Sequence, residues 1–133
     1  MTEKVECSED KILQEDLDFI AESNIPFEKL NNSSILITGG TGLVGISIIR
    51  ALLCVNRKKN MHIRIFALVR NEEKAKKLYG NLLNRKELEL VVSDIINISN
   101  FDFNVDYTFP PFFLMISSLI DLGAASYLSN CIV

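Results

Sequence analysis

The residues best placed to do chemistry in this chain are glycines. Gly40-Thr41-Gly42-Leu43-Val44-Gly45 fits the spacing G-x-G-x-x-G, and Gly39 adds one more glycine upstream. A dinucleotide pyrophosphate needs backbone N–H groups aimed at it with no Cβ in the way. The first turn of a helix supplies such donors together with a partial positive charge. The string alone is a weak signal, but here the aliphatic run Ile35-Leu36-Ile37 leads into it and a helical stripe follows. On this reading Gly39 and Gly42 make the tight turn and admit the phosphates, while Gly45 lets the helix pack against the sheet. A Walker-type loop is excluded, because Gly45 is followed by Ile46-Ser47 and the next lysine is Lys58.

A second position bears on which dinucleotide fits. An Asp or Glu at the end of the second strand would hydrogen-bond a ribose 2′-hydroxyl and repel a 2′-phosphate. This chain has Val69-Arg70-Asn71 there, with the nearest acids, Glu72 and Glu73, inside the following helix. Arg70 could pair with a 2′-phosphate, lie along the adenine face, or stand solvated at a strand end. The cofactor reading is therefore NAD or NADP.

Other chemistries find little support. His62 is the only histidine and has no Cys or carboxylate at ligand spacing, so no metal site is expected. Cys7, Cys54 and Cys131 form no CxxC pair and read as free thiols of a reducing, cytoplasmic compartment. Asp102 and Asp106 lie among Phe101, Phe103 and Pro110 and do not read as an acid/base couple. Phe101, Phe103, Phe109, Phe112 and Phe113 read as sheet-edge packing or exposed apolar surface rather than a base-stacking platform.

The elements that must position the glycine turn follow from periodicity. Residues 10–21 carry an apolar stripe at Ile12, Leu13, Leu17 and Ile20, with Ser8 as a candidate cap and Asn24-Ile25-Pro26 as a stop. Leu43–Val55 is apolar at Val44, Ile48, Ile49, Leu52 and Val55, with Arg50 and Asn56 off the stripe and Arg57–Asn60 as the turn. Ile63–Val69 reads as a second strand, Glu72–Tyr79 as a helix capped by Asn71, and Glu87–Val92 as a third strand. The fold class is α/β: a partial Rossmann fold, the βαβαβ half of an NAD(P)-binding domain. Right-handed crossovers set the strand order 3-2-1. Val105–Phe109 could begin a fourth strand beside the first, before Pro110-Pro111 stops it. The expected organisation is an acidic helical extension (1–30), an incomplete Rossmann domain (31–109) and an atypical apolar tail (110–133).

Charge is unevenly spread. Residues 1–30 hold nine acidic and three basic side chains, whereas 31–109 hold eleven basic and seven acidic. An acidic head on a mildly basic body does not read as a nucleic-acid binder. Arg57–Lys59 and Lys74–Lys77 read as solvated helix faces or ends. No secretory leader is expected at Met1–Asp10. Phe112–Val133 is nearly uncharged, yet Asp121 at its middle argues against a membrane span.

Ile35–Gly45, ILITGGTGLVG, resembles the extended short-chain dehydrogenase/reductase superfamily, and within it the NAD-dependent epimerase/dehydratase family that acts on nucleotide sugars. That group's T-G-x-x-G-x-x-G signature is matched at Thr38, Gly39, Gly42 and Gly45. Phe66–Asn71 (FALVRN) and Val91–Ile95 (VVSDI) are similar to it as well. The resemblance implies a cofactor site at Thr38, Gly39, Gly40, Thr41, Gly42, Leu43, Val44, Gly45, Arg70, Asp94 and Ile95, with Asp94 near the adenine. The chain departs from the family after about Tyr107. Its Tyr-x-x-x-Lys pair is missing, since residues four beyond Tyr79, Tyr107 and Tyr127 are Leu83, Pro111 and Cys131. No catalytic residue is therefore assigned. The reading is a dinucleotide-binding fragment, not catalytic alone, with a structural or membrane-associated interaction module as the alternative. Such a part-sheet would tend to self-associate through an exposed strand edge.

Overall fold

The computed structural model describes residues 5–93 and 105–109. Asp94, Ile95, Cys131, Asp102 and the tail expected at 110–133 lie outside the described residues.

Four parallel strands form the sheet: β1 (Ser34–Ile37), β2 (Arg64–Val69), β3 (Leu88–Val92) and β4 (Tyr107–Phe109). Their order is β3-β2-β1-β4, so the chain steps outward through β2 and β3 and then crosses back to the far side of β1. This is an α/β, partial Rossmann-like fold with the 3-2-1 order that right-handed crossovers require. β4 is shorter than the span 105–109. Ahead of it, Asp106 is spent on the sheet itself: its carboxylate accepts the Ser34 N–H at 2.8 Å.

Alternation within the strands divides the core. Ile35, Ile37, Ile65, Ala67 and Val69 face the helices, and Leu36, Phe66 and Leu68 form a smaller cluster on the other face. The helical face is covered by α1 (Lys11–Ala21), α2 (Leu43–Lys59) and α3 (Glu72–Tyr79). Asn71 caps α3, accepting from Lys74 N at 3.1 Å. Its first turn carries Glu72 and Glu73, where the helix dipole favours acids.

Several local expectations are corrected. Asp10, not Ser8, caps α1, its carboxylate accepting from Leu13 N at 3.0 Å. The buried face of α1 is Gln14, Leu17 and Ala21, while Ile12 and Phe19 stand exposed. The cause is Gln14: its side chain accepts from Cys7 N and donates to Glu6 and Asp18, which draws that face inward. α2 runs on through Arg57-Lys58-Lys59 to end at Asn60 in the left-handed region, so the basic run is its last turn rather than a loop. Asn56 is buried, not off the packed face. Its amide brackets Ile63, donating to the carbonyl and accepting from the N–H, each at 2.9 Å, and so fixes the approach to β2. Val44 is exposed rather than part of the stripe.

Candidate functional site

The site grows from the end of β1. Thr38 is buried, and both its N–H and its hydroxyl donate to the Phe109 carbonyl at 3.0 Å. Thr38 therefore ties β1 to β4 instead of presenting its side chain outward. Gly39 follows with φ of +65°, a conformation that L side chains rarely adopt, and its carbonyl accepts from Gly42 N at 2.9 Å to close the turn. Gly42 is the N-cap residue of α2 and offers no side-chain cap.

Gly45 has a different task from packing on the sheet. A Cβ there would collide with the Gly39 carbonyl oxygen and come within 3.2 Å of Gly40 Cα. Its missing side chain lets the first turn of α2 close on the backbone of the glycine turn itself. The loop is thereby drawn under the helix N-terminus.

Among the described residues the backbone N–H groups of Thr41, Leu43, Val44 and Gly45 have no acceptor, and Ile46 is the first to bond back, to Gly42 O at 3.0 Å. The first turn of α2 contains no acid. Unmet donors and the positive end of a 17-residue helix thus converge at one place, which is the arrangement that attracts an anion. Leu43 and Val44 stand exposed beside them.

Tyr79, at the end of α3, completes the turn and was not singled out by sequence. It is buried, and its hydroxyl donates to the Gly40 carbonyl. Burial pushes its pKa up, against a weaker opposing effect of Arg50, so it stays a phenol donor. In a trans peptide the N–H points opposite to the C=O. Holding Gly40 O toward α3 therefore turns the Thr41 N–H away from α3. A sequence signal existed: Ala75 and Tyr79 lie four apart on one helical face, and a buried tyrosine needs a partner for its hydroxyl.

Arg70 follows β2, exposed, with no hydrogen bond or ion pair among the described residues. Gly40 N donates to Leu68 O at 3.1 Å, so the glycine turn and the end of β2 sit side by side. His62 is exposed before β2, as expected of a strand-end histidine. No group of three or more metal-ligating side chains occurs among the described residues. No helix there is long and apolar enough to cross a membrane; the segment Phe112–Val133 lies outside them.

The family model described as "Male sterility protein", an NAD-binding family, matches residues 37–97. The match begins on the last residue of β1 and takes in the glycine turn, α2, β2, α3 and β3. It supports an NAD-binding, reductase- or epimerase-like superfamily. No curated protein matches the chain.

Proposed function

We propose that the chain is the nicotinamide-dinucleotide-binding part of a reductase- or epimerase-like protein. The observation that carries this is the cluster of unmet N–H donors at the start of α2, above a turn whose close approach depends on Gly39 and Gly45. Thr41, Leu43, Val44 and Gly45 would hold the pyrophosphate through their N–H groups, with Gly39, Gly40 and Gly42 shaping the turn and Thr38 anchoring it. Arg70 would meet the 2′-phosphate of NADP or lie along the adenine face of either dinucleotide, so the cofactor is NAD or NADP. Asp94 and Ile95 would line the adenine. When bound, the nicotinamide supplies a hydride donor or acceptor. Because the chain lacks a Tyr-x-x-x-Lys pair, we assign these residues binding and orientation rather than the proton transfer of the reaction. Likeness in the glycine signature to enzymes acting on nucleotide sugars makes such a sugar the proposed substrate class of the parent fold. The division into an acidic helical extension (1–30), a binding unit (31–109) and an apolar tail (110–133) belongs to the same proposal, as do a cytoplasmic setting and self-association through a free strand edge.

Fluorescence titration with NADH and NADPH tests the reading. Saturable binding is expected, and none of either at millimolar ligand would overturn it. With Arg70 on the 2′-phosphate, Arg70→Ala should weaken NADPH by about 1.5–3 kcal/mol, the worth of a charge-assisted hydrogen bond, and leave NADH nearly unchanged. Equal losses for both would put Arg70 on the adenine or pyrophosphate instead.

A further inference from the structure

A cavity of about 600 Å³ opens on the helical layer, between α2, α3, the 3-10 turn Gly80–Asn84 and the segment leading into α1. It is lined by Tyr79, whose hydroxyl reaches the Gly40 carbonyl, but by no residue of Gly39–Gly45 and not by Arg70. Arg50 from α2 lines it, and the Arg50 Nε is buried with no hydrogen-bond partner among the described residues. That is unusual within this layer. Arg57 is held by Glu6 and Asp18, and Arg85 by Glu6, Glu87 and the Leu53 carbonyl. A guanidinium N–H taken out of water without an acceptor is costly, and natural structures rarely leave one so unless a ligand or ion completes it.

The surroundings point to the missing partner's charge. Lys77 also lines the cavity; among the described residues it makes no ion pair, and the side-chain amides of Asn81 and Asn84 bond nothing. Two acids face the same space. Glu6 is already committed to Arg57 and Arg85, which leaves Glu9 against two cations. We propose that this cavity is a second binding site, taking a small molecule with a phosphate or carboxylate head group paired to Arg50 and Lys77. A guanidinium fork suits either oxyanion, and the amides suit hydroxyl or carbonyl groups of the ligand's body. The volume is that of a metabolite-sized site rather than of a bare ion, and Leu78 and Leu82 give it an apolar wall.

The test uses the full chain and three anions at matched ionic strength: inorganic phosphate, succinate, and chloride as control. NMR would follow the Arg50 Nε–H, the Tyr79 and Gly80 amides, and separately the amides of Gly39–Gly45. Expected is a saturable millimolar shift at Arg50, Tyr79 and Gly80 with phosphate or succinate, the tighter of the two naming the head group. Arg50→Gln should weaken that response at Tyr79 and Gly80 about tenfold or more, and Lys77→Gln should weaken it less. The Gly39–Gly45 amides should respond identically in all three proteins. Shifts confined to Gly39–Gly45, an equal response to chloride, or unchanged affinity in Arg50→Gln would overturn the site. Should Arg50→Gln fail to fold, the wild-type Arg50 resonance and Lys77→Gln still decide it.

Discussion

The two ends of α2 are opposites. At its C-terminus every strong group has a protein partner. Arg57 forks onto Glu6 at 2.9 and 3.1 Å, Lys58 meets Glu22 at 2.7 Å, and Lys59 lies 3.6 Å from Glu28. The acidic segment around α1 thereby complements three cations at the negative end of the helix dipole. At its N-terminus no acid is present and four N–H groups have no acceptor among the described residues. One end is saturated and so serves the fold. The other is left open to a ligand, which is what a binding site for an anion requires. Substitutions at the two ends should therefore separate stability from affinity.

The largest effect is expected at the saturated end. The Glu6 side chain is 0% exposed and bonds both Arg57 and Arg85, so Glu6→Gln leaves two largely buried guanidinium groups short of a counter-charge. A loss of about 3–5 kcal/mol is expected from breaking such a buried group of ions. Urea unfolding would read it, while dinucleotide affinity per folded molecule stays unchanged. A large loss of affinity would break the contrast between the two ends. The pH dependence carries a sign. Burial works to raise the Glu6 pKa, but hydrogen bonds from Arg57 and Gln14 outweigh it and hold the carboxyl below its ordinary 4.5. The stabilisation is thus full above that value and is lost as pH falls through the lower folded pKa. The stability gap between wild type and Glu6→Gln should narrow in acid, and a gap that widened would contradict the arrangement.

Next comes the open end. Alanine is the better helix former by about 1 kcal/mol, so propensity alone would make Gly45→Ala stabilising. The Cβ, however, meets the Gly39 carbonyl, and overpacking of this kind costs about 1–3 kcal/mol. The expected outcome is a slightly destabilised protein whose NADPH titration no longer saturates, because the turn has moved off the helix N-terminus. A stabilised variant with intact binding would show that the close approach is dispensable.

How far the sequence could be read follows the same divide. Local and topological rules reached the open end: the glycine spacing, the Asn71 cap, and a strand order forced by crossover handedness, with β4 beside β1. They failed where a side chain's partner lies far along the chain. Asn56 read as off the apolar stripe and Gln14 carried no signal, yet both are buried because each satisfies backbone or charge elsewhere. Glu6 meets Arg57 and Arg85, 51 and 79 residues away, and no periodicity encodes such a meeting. Of the candidate site, the turn was legible. The Tyr79 hydroxyl beneath it was not, since its acceptor Gly40 lies 39 residues upstream.

The smallest effect sharpens the contrast most, because Tyr79 belongs to the packed layer but acts on the open end. Tyr79→Phe keeps the buried ring and removes only the donor to Gly40 O. The loss of one hydrogen bond to a buried carbonyl should cost about 1 kcal/mol in denaturant unfolding. Affinity should also fall, by a few-fold, because the freed Gly40–Thr41 peptide can rotate and its N–H no longer stays aimed away from α3. A variant that lost stability but bound NADPH as tightly as wild type would make Tyr79 a packing residue only. The phenol itself should not titrate near its ordinary value of 10, because burial pushes its pKa up. Binding followed upward through pH 10 should therefore show no inflection present in wild type and absent from Tyr79→Phe. Such an inflection would mean that the hydroxyl reaches water and that the turn is held from elsewhere.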